Sequence, residues 1–202
     1  MDKRLQQQLD FALEIDKEKN IFRQTHLSGH GRNENDAEHA WYMAIMTVLL
    51  SEYANEKIDV LRTVTMLLIH DIVEIDAGDT YAYDEEGLKT QRERECQAAD
   101  RIYALLPEDQ QSKLRDIWEE FEAGETPEAK FAHTMDNLQP AMLNVVNNGV
   151  SWKEHGIAIS QIMKRNAHTA EGSQVLWDYA YENFFKKNID DGNIIDDSKK
   201  MY

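Results

Sequence analysis

The chain has 202 residues, with 22 Lys and Arg against 38 Asp and Glu, a formal charge of −16. Such a field repels polyanions and gives no electrostatic footprint for a nucleic-acid polymer. With 42% hydrophobic and 30% charged residues, the composition excludes a disordered body. Cys96, the lone cysteine, leaves no internal disulfide. No run reaches the ~18 apolar residues that a bilayer span needs, so no membrane partner is expected. The first residues lack an apolar signal core, and the expectation is a cytoplasmic protein.

Apolar residues recur at three- and four-residue spacing, only three prolines interrupt them, and no strand alternation stands out. The reading is all-α: a compact helical bundle of about seven or eight helices. One domain is expected over 1–188, followed by an acidic tail, 189–202, expected to fray. Leu5, Leu9, Ala12 and Leu13, with Phe11, mark a first helix. The polar stretch from Arg23 to Asn35 reads as a loop. Asp36 is placed to cap a second helix through Trp41–Met46 toward Tyr53, which puts His39 in its first turn.

Asp59 caps a third helix, Val60 to Ile75, apolar on nearly every side and therefore central. A loop follows from Asp76 to Gly87. Leu88–Leu106 and Pro107–Phe121 read as amphipathic helices, the second opened by Pro107, and Gly124 breaks the pattern. Thr126-Pro127 starts a helix that Gly149 stops, with Phe131, Met135, Asp136, Leu138 and Met142 on it and Pro140 placed to kink it. Ser151 and Glu154 have capping-box spacing before a helix toward His168. Val175–Phe185 suggests the last.

One constellation stands out against this background. A helix turns about 100° per residue, so His70 and Glu74 share a face, with Asp71 to one side. Their neighbours are Leu67, Leu68, Ile69, Ile72 and Val73, and ionisable groups in such surroundings are costly unless paired, protonated or bound to a metal. With His39 and Asp136 from other helices, two imidazoles and two carboxylates form a mixed nitrogen and oxygen donor set. It suits divalent manganese, iron, cobalt, nickel, zinc or magnesium and leaves positions open for water and substrate.

His39, His70-Asp71 and Asp136 form an H…HD…D pattern that resembles the HD-domain phosphohydrolases. The segment from His70 through Glu74 to Gly78-Asp79, with Glu38-His39, is similar to their 5′-nucleotidase-like branch over roughly residues 20 to 165. The resemblance implies a compact orthogonal bundle of the HD-domain type, with His39, His70, Asp71 and Asp136 as ligands of one metal ion. It implies that Glu74 and Asp79 position water and assist proton transfer. Arg23 and Arg32, in the region where the family carries loop arginines, become the phosphate-binding candidates. The implied activity is removal of phosphate from nucleoside 5′-monophosphates, a small phosphomonoester substrate, by attack of activated water. A homodimer is compatible with that branch. The sequence departs from it where Gln24, rather than an aromatic residue, follows Arg23.

Other readings stay open. In one alternative the fold is a metal-bound, non-catalytic regulatory or binding module, against which stands the presence of both Glu74 and Asp79, since binding alone would not require both. A di-iron oxygenase needs further histidines between the HD pair and the last Asp, where only His133 lies. His133 is either a partner behind a ligand or a polar core residue. Tyr81 and Tyr83 either line a base pocket or pack their loop, and His26 and His30 read as surface groups.

Overall fold

The computed structural model describes residues 2–29 and 31–198. His30 lies outside them. Among the described residues, eight helices of seven residues or more form the bundle: α1 (Lys3–Glu14), α2 (Asp36–Leu50), α3 (Val60–Ile69), α5 (Glu85–Tyr103), α6 (Glu108–Ala123), α7 (Pro127–Val146), α9 (Ile159–Arg165) and α11 (Gln174–Ala180). Four segments of only four or five residues lie among them: α4 (Glu74–Ala77), α8 (Val150–Glu154), α10 (Thr169–Gly172) and α12 (Lys186–Asp190). The helical reading is borne out.

Helix α3 packs against α2, α6 and α7, as its apolar surface requires. Asp59 caps it, accepting from the Arg62 N–H at 3.1 Å. Met66 and Leu67 of α3, Ile102 of α5, Trp118 of α6 and Phe131 and Met135 of α7 are sealed from solvent in one cluster. Burying each such side chain contributes on the order of 1.5–3 kcal/mol.

The third helix is shorter than the expected Val60–Ile75. It ends at Ile69, the chain turns through 70–73, and α4 begins at Glu74. Carbonyls at a helix end need outside donors, and here two neighbouring helices supply them. Tyr103 Oη–H donates to the Ile69 carbonyl at 3.2 Å, and Trp118 Nε1–H to the His70 carbonyl at 3.2 Å. The His70-Asp71 pair therefore sits on a braced bend rather than along a continuous helix. Gly78, at φ 74°, then takes a conformation that L side chains resist, and the chain leaves α4 toward Asp79.

The stretch expected as a loop contains a small antiparallel hairpin, β1 (Phe22–His26) and β2 (Asn33–Asn35), with a register irregularity between its pairs Phe22↔Asn35 and His26↔Asn33. Asn147, after α7, pins it: its Nδ2–H donates to the His26 and Leu27 carbonyls at 3.1 and 3.0 Å.

Two further expectations need correction. Ser151 does not open a long helix, because α8 starts after Gly149 and the chain breaks again before α9. The tail is anchored as far as Ser198 instead of frayed. Ile194 is 2% exposed, Ile195 bridges to Ala158, and Asp197 accepts from Ser160 N–H and Oγ–H at 3.0 and 2.6 Å. Among the described residues no helix is long and apolar enough to cross a membrane.

Candidate metal centre

The cap of α2 is Asn35, not Asp36. Asn35 Oδ1 accepts from the Glu38 N–H at 2.9 Å, and Glu38 Oε2 accepts from the Asn35 N–H at 3.1 Å, satisfying two free donors reciprocally. This leaves Asp36 as the first helical residue, fully buried, with His39 three positions on and on the same face.

Each histidine is oriented through Nδ1. His39 Nδ1–H donates to Gln139 Oε1 at 2.9 Å, and His70 Nδ1–H to the Leu67 carbonyl at 2.9 Å. The Nε2 lone pairs then face carboxylates: His39 Nε2 lies 3.1 Å from Asp136 Oδ1, and His70 Nε2 lies 3.0 Å from Asp71 Oδ1. Two acceptors facing each other in a buried site require a proton or a cation between them. Donor atoms of His39, His70 and Asp136 all lie within 4.8 Å of one another, and the buried His70 Nε2 makes no hydrogen bond. The residues fit a divalent metal ion.

Without the ion, the surrounding carboxylates favour the protonated form of both rings. Burial alone pushes the His70 imidazole down, but Asp71 and Asp136 more than offset that and hold its pKa at about 9. Burial would raise Asp71, yet His70 and Arg23 bring it to about 2. Arg165 and His39 likewise hold Asp136 well below the usual range against burial. Three acids go the other way. Burial and the charge of Asp71 raise Glu74 well above its ordinary value and Asp36 to about 8, and burial raises Asp79.

A cleft of about 280 Å³ opens over these groups, lined by His70, Asp71, Glu74, Asp79, Asp136 and Arg23 among others. Arg23, on β1, reaches in with Nη1 at 2.8 Å from Asp71 Oδ2 and 3.6 Å from Asp36 Oδ1, and Nη2 at 4.0 Å from Asp136 Oδ1. Arg32 does not line the cleft. Half-exposed, it pairs with Glu38 on the surface and donates to the Asn33 carbonyl. A residue that the sequence reading missed does line it: Arg165, whose Nη2–H donates to Asp136 Oδ2 at 2.8 Å.

The open alternatives narrow. His133 Nε2–H donates to the Phe121 carbonyl at 2.8 Å and its ring stacks on Phe121, so it is a polar core residue at the cleft wall. His26 bridges Glu154 and the Gly31 carbonyl. Tyr81 and Tyr83 both line the cleft, with ring centroids 5.3 Å apart. Among the described residues the other donor group, Asp36, Asp71 and Glu74, contains no imidazole and is faced by Arg23, unlike a histidine-rich dinuclear centre.

The geometry coincides with a known pattern. The HD domain family pattern matches residues 15–177. The chain belongs to the HD domain family. A crystal structure of a predicted metal-dependent phosphohydrolase from Magnetospirillum magnetotacticum is 44% identical, superposes with a TM-score of 0.91 and covers 96% of each chain. An HD-domain phosphohydrolase from Listeria innocua, 16% identical with a TM-score of 0.62 over 92% of this chain and 90% of its own, shares the fold. Among curated proteins, the 5′-deoxynucleotidase HDDC2 of Homo sapiens is 32% identical over 108 residues, 54% of this chain and 52% of the relative. The 5′-deoxynucleotidase hdd1 of Schizosaccharomyces pombe is 27% identical over 116 residues, 54% of this chain and 57% of its own. The chain spans about half the length of the curated relatives it matches.

Within this HD domain, Gln139 was the residue most open to detection. It lies three positions after Asp136 and so on the same helical face. Glu34 and Asp36 were hidden in a polar run that reads as loop and cap.

Proposed function

We propose that this HD domain is a phosphomonoesterase that releases phosphate from nucleoside 5′-monophosphates, using one divalent ion held by His39, His70, Asp71 and Asp136. The observation that carries the reading is His70 Nε2, buried and without a hydrogen bond beside Asp71, at a cleft that also holds two arginines. When bound, the ion supplies Lewis acidity that activates water and offsets charge on the phosphoryl oxygens.

The chain's own residues do the rest. Arg23 and Arg165 approach from opposite sides of Asp136, which offers Oδ1 toward one and Oδ2 toward the other. Guanidinium groups so placed hold phosphoryl oxygens and balance charge that grows in the transition state. Burial and the charge of Asp71 raise the Glu74 pKa well above its ordinary value, a direction that favours a role in protonating the 5′ oxygen of the leaving nucleoside. Asp79, carried into the cleft after Gly78, shares water orientation and proton transfer with it. Tyr81 and Tyr83 offer aromatic faces for a base, and the names of the curated relatives support a nucleotide substrate.

The test is a phosphate-release screen over nucleoside 5′-monophosphates and simpler monoesters, with manganese, cobalt, magnesium or zinc added, beside His70→Ala and Glu74→Ala. Turnover lost in His70→Ala and reduced in Glu74→Ala is expected. Absence of turnover with every metal would refute the enzymatic reading.

A further inference from the structure

Glu34 and Gln139 are polar side chains sealed in the interior, 1% and 0% exposed, and neither takes part in the chemistry above. Gln139 Nε2–H donates to Glu34 Oε1 at 2.7 Å, and Gln139 Oε1 accepts from His39 Nδ1–H at 2.9 Å. Glu34 Oε2 lies 3.6 Å from His39 Nδ1 and makes no hydrogen bond. One strand and two helices, β2, α7 and α2, thus meet in a buried chain of three side chains that ends at the imidazole.

The two histidines differ in how their rings are set. His70 Nδ1 faces a backbone carbonyl, which only accepts. His39 Nδ1 faces a primary amide, which has a donor end and an acceptor end of nearly equal shape. Turned over, that amide would offer N–H to Nδ1, move the ring proton to Nε2 and cover the lone pair that faces Asp136. Glu34 Oε1 takes the Nε2–H end of this amide, so the acceptor end is the one left facing His39 Nδ1.

We infer that Glu34 is a positioning residue for the metal. Through Gln139 it holds His39 with its proton on Nδ1 and the Nε2 lone pair presented to the ion. The inference rests on the proposed metal centre. Groups that orient a ligating histidine from behind typically contribute about 10- to 100-fold to metal affinity.

The experiment is a Co²⁺ titration, followed by its visible absorption, of the full chain and of Glu34→Gln, Gln139→Met and the double variant, with thermal melting as a check on folding. Glu34→Gln keeps the shape and restores the freedom of the amide to turn. It is expected to weaken Co²⁺ binding about tenfold and to alter the bound spectrum while the melting transition stays cooperative. In the Gln139→Met background the Glu34 substitution should add little, because the connection is already cut.

Additive losses, or a Glu34→Gln protein with the affinity and spectrum of the unsubstituted chain, would overturn the relay and leave the proposed function standing. An unsubstituted chain that binds no Co²⁺ would overturn both. Should Glu34→Gln fail to fold, Gln139→Glu supplies the second arm. It keeps an acceptor toward His39 but sets two carboxylates together, and binding as tight as in the unsubstituted chain would refute the requirement for a donor facing Glu34.

Discussion

Arg23 and Arg32 lie nine positions apart around one hairpin and end in opposite settings. Arg23 extends from a strand into a cleft where Asp71, Asp36 and Asp136 face it, with 14% of its side chain exposed. Arg32 lies next to the other strand with 52% of its side chain exposed and pairs with Glu38, itself partly open to water. The charge is the same and the dielectric is not. A buried cation among three carboxylates offsets a desolvation cost that no solvent relieves, whereas an exposed pair trades one well-solvated partner for another.

The largest effect should come from Arg23→Ala. It takes from Asp71 one of its two cations, leaving only His70, so the metal-free protein is expected to lose about 1.5–3 kcal/mol in denaturant unfolding. kcat/KM for phosphate release should fall about 10²- to 10³-fold. Retention of both would contradict the buried setting described for Arg23.

Titration sharpens the contrast. His70 is raised from an ordinary 6.5 to about 9, so in the metal-free protein its contribution to stability is complete below pH 6.5 and is lost as pH rises through about 9. Arg23 is among the groups that lower the His70 pKa. Removing Arg23 should therefore move the alkaline fall in Tm, recorded in chelator, to higher pH, and removing Arg32 should leave it in place. Metal replaces those ring protons, so Co²⁺ affinity should weaken as pH drops from 9 toward 7.

Arg165 falls between the two arginines, partly exposed but bonded to Asp136. Arg165→Met is expected to lower kcat/KM for a monophosphate about tenfold, and unchanged kinetics would remove it from phosphate binding. The smallest effect is assigned to Arg32→Ala: stability within about 0.5 kcal/mol and unaltered kinetics. A raised KM there would restore the role that its sequence position suggested.

What could be read in advance follows from periodicity. His70 and Asp71 stood out because they interrupt an apolar run, and Asp136 because it shares a helix with evident core positions. The helices were legible for the same reason. The hairpin was not, since Arg23-Gln24-Thr25 and Asn33-Glu34-Asn35 lack an apolar alternation, and strands of five and three residues offer little pattern to detect. Without a strand there was no basis for separating Arg23 from Arg32. Arg165 lies 29 positions from Asp136, and no local rule connects residues so far apart. The end of α3 at Ile69 was hidden because its cause is tertiary: donors on Tyr103 and Trp118 take over carbonyls that a longer helix would have satisfied itself.

The register of the hairpin has one more consequence. β1 carries Arg23 into the cleft beside Asp71, and β2 carries Glu34 to Gln139 behind His39, in a ladder whose pairs are Phe22↔Asn35 and His26↔Asn33. Successive strand residues point to opposite faces, so a slip of one position turns a side chain from one face to the other. A single residue inserted into this short ladder is therefore expected to disturb the proposed phosphate contact of Arg23 and the proposed support of His39 by Glu34 together. The two proposed roles thus share one ladder of eight strand residues.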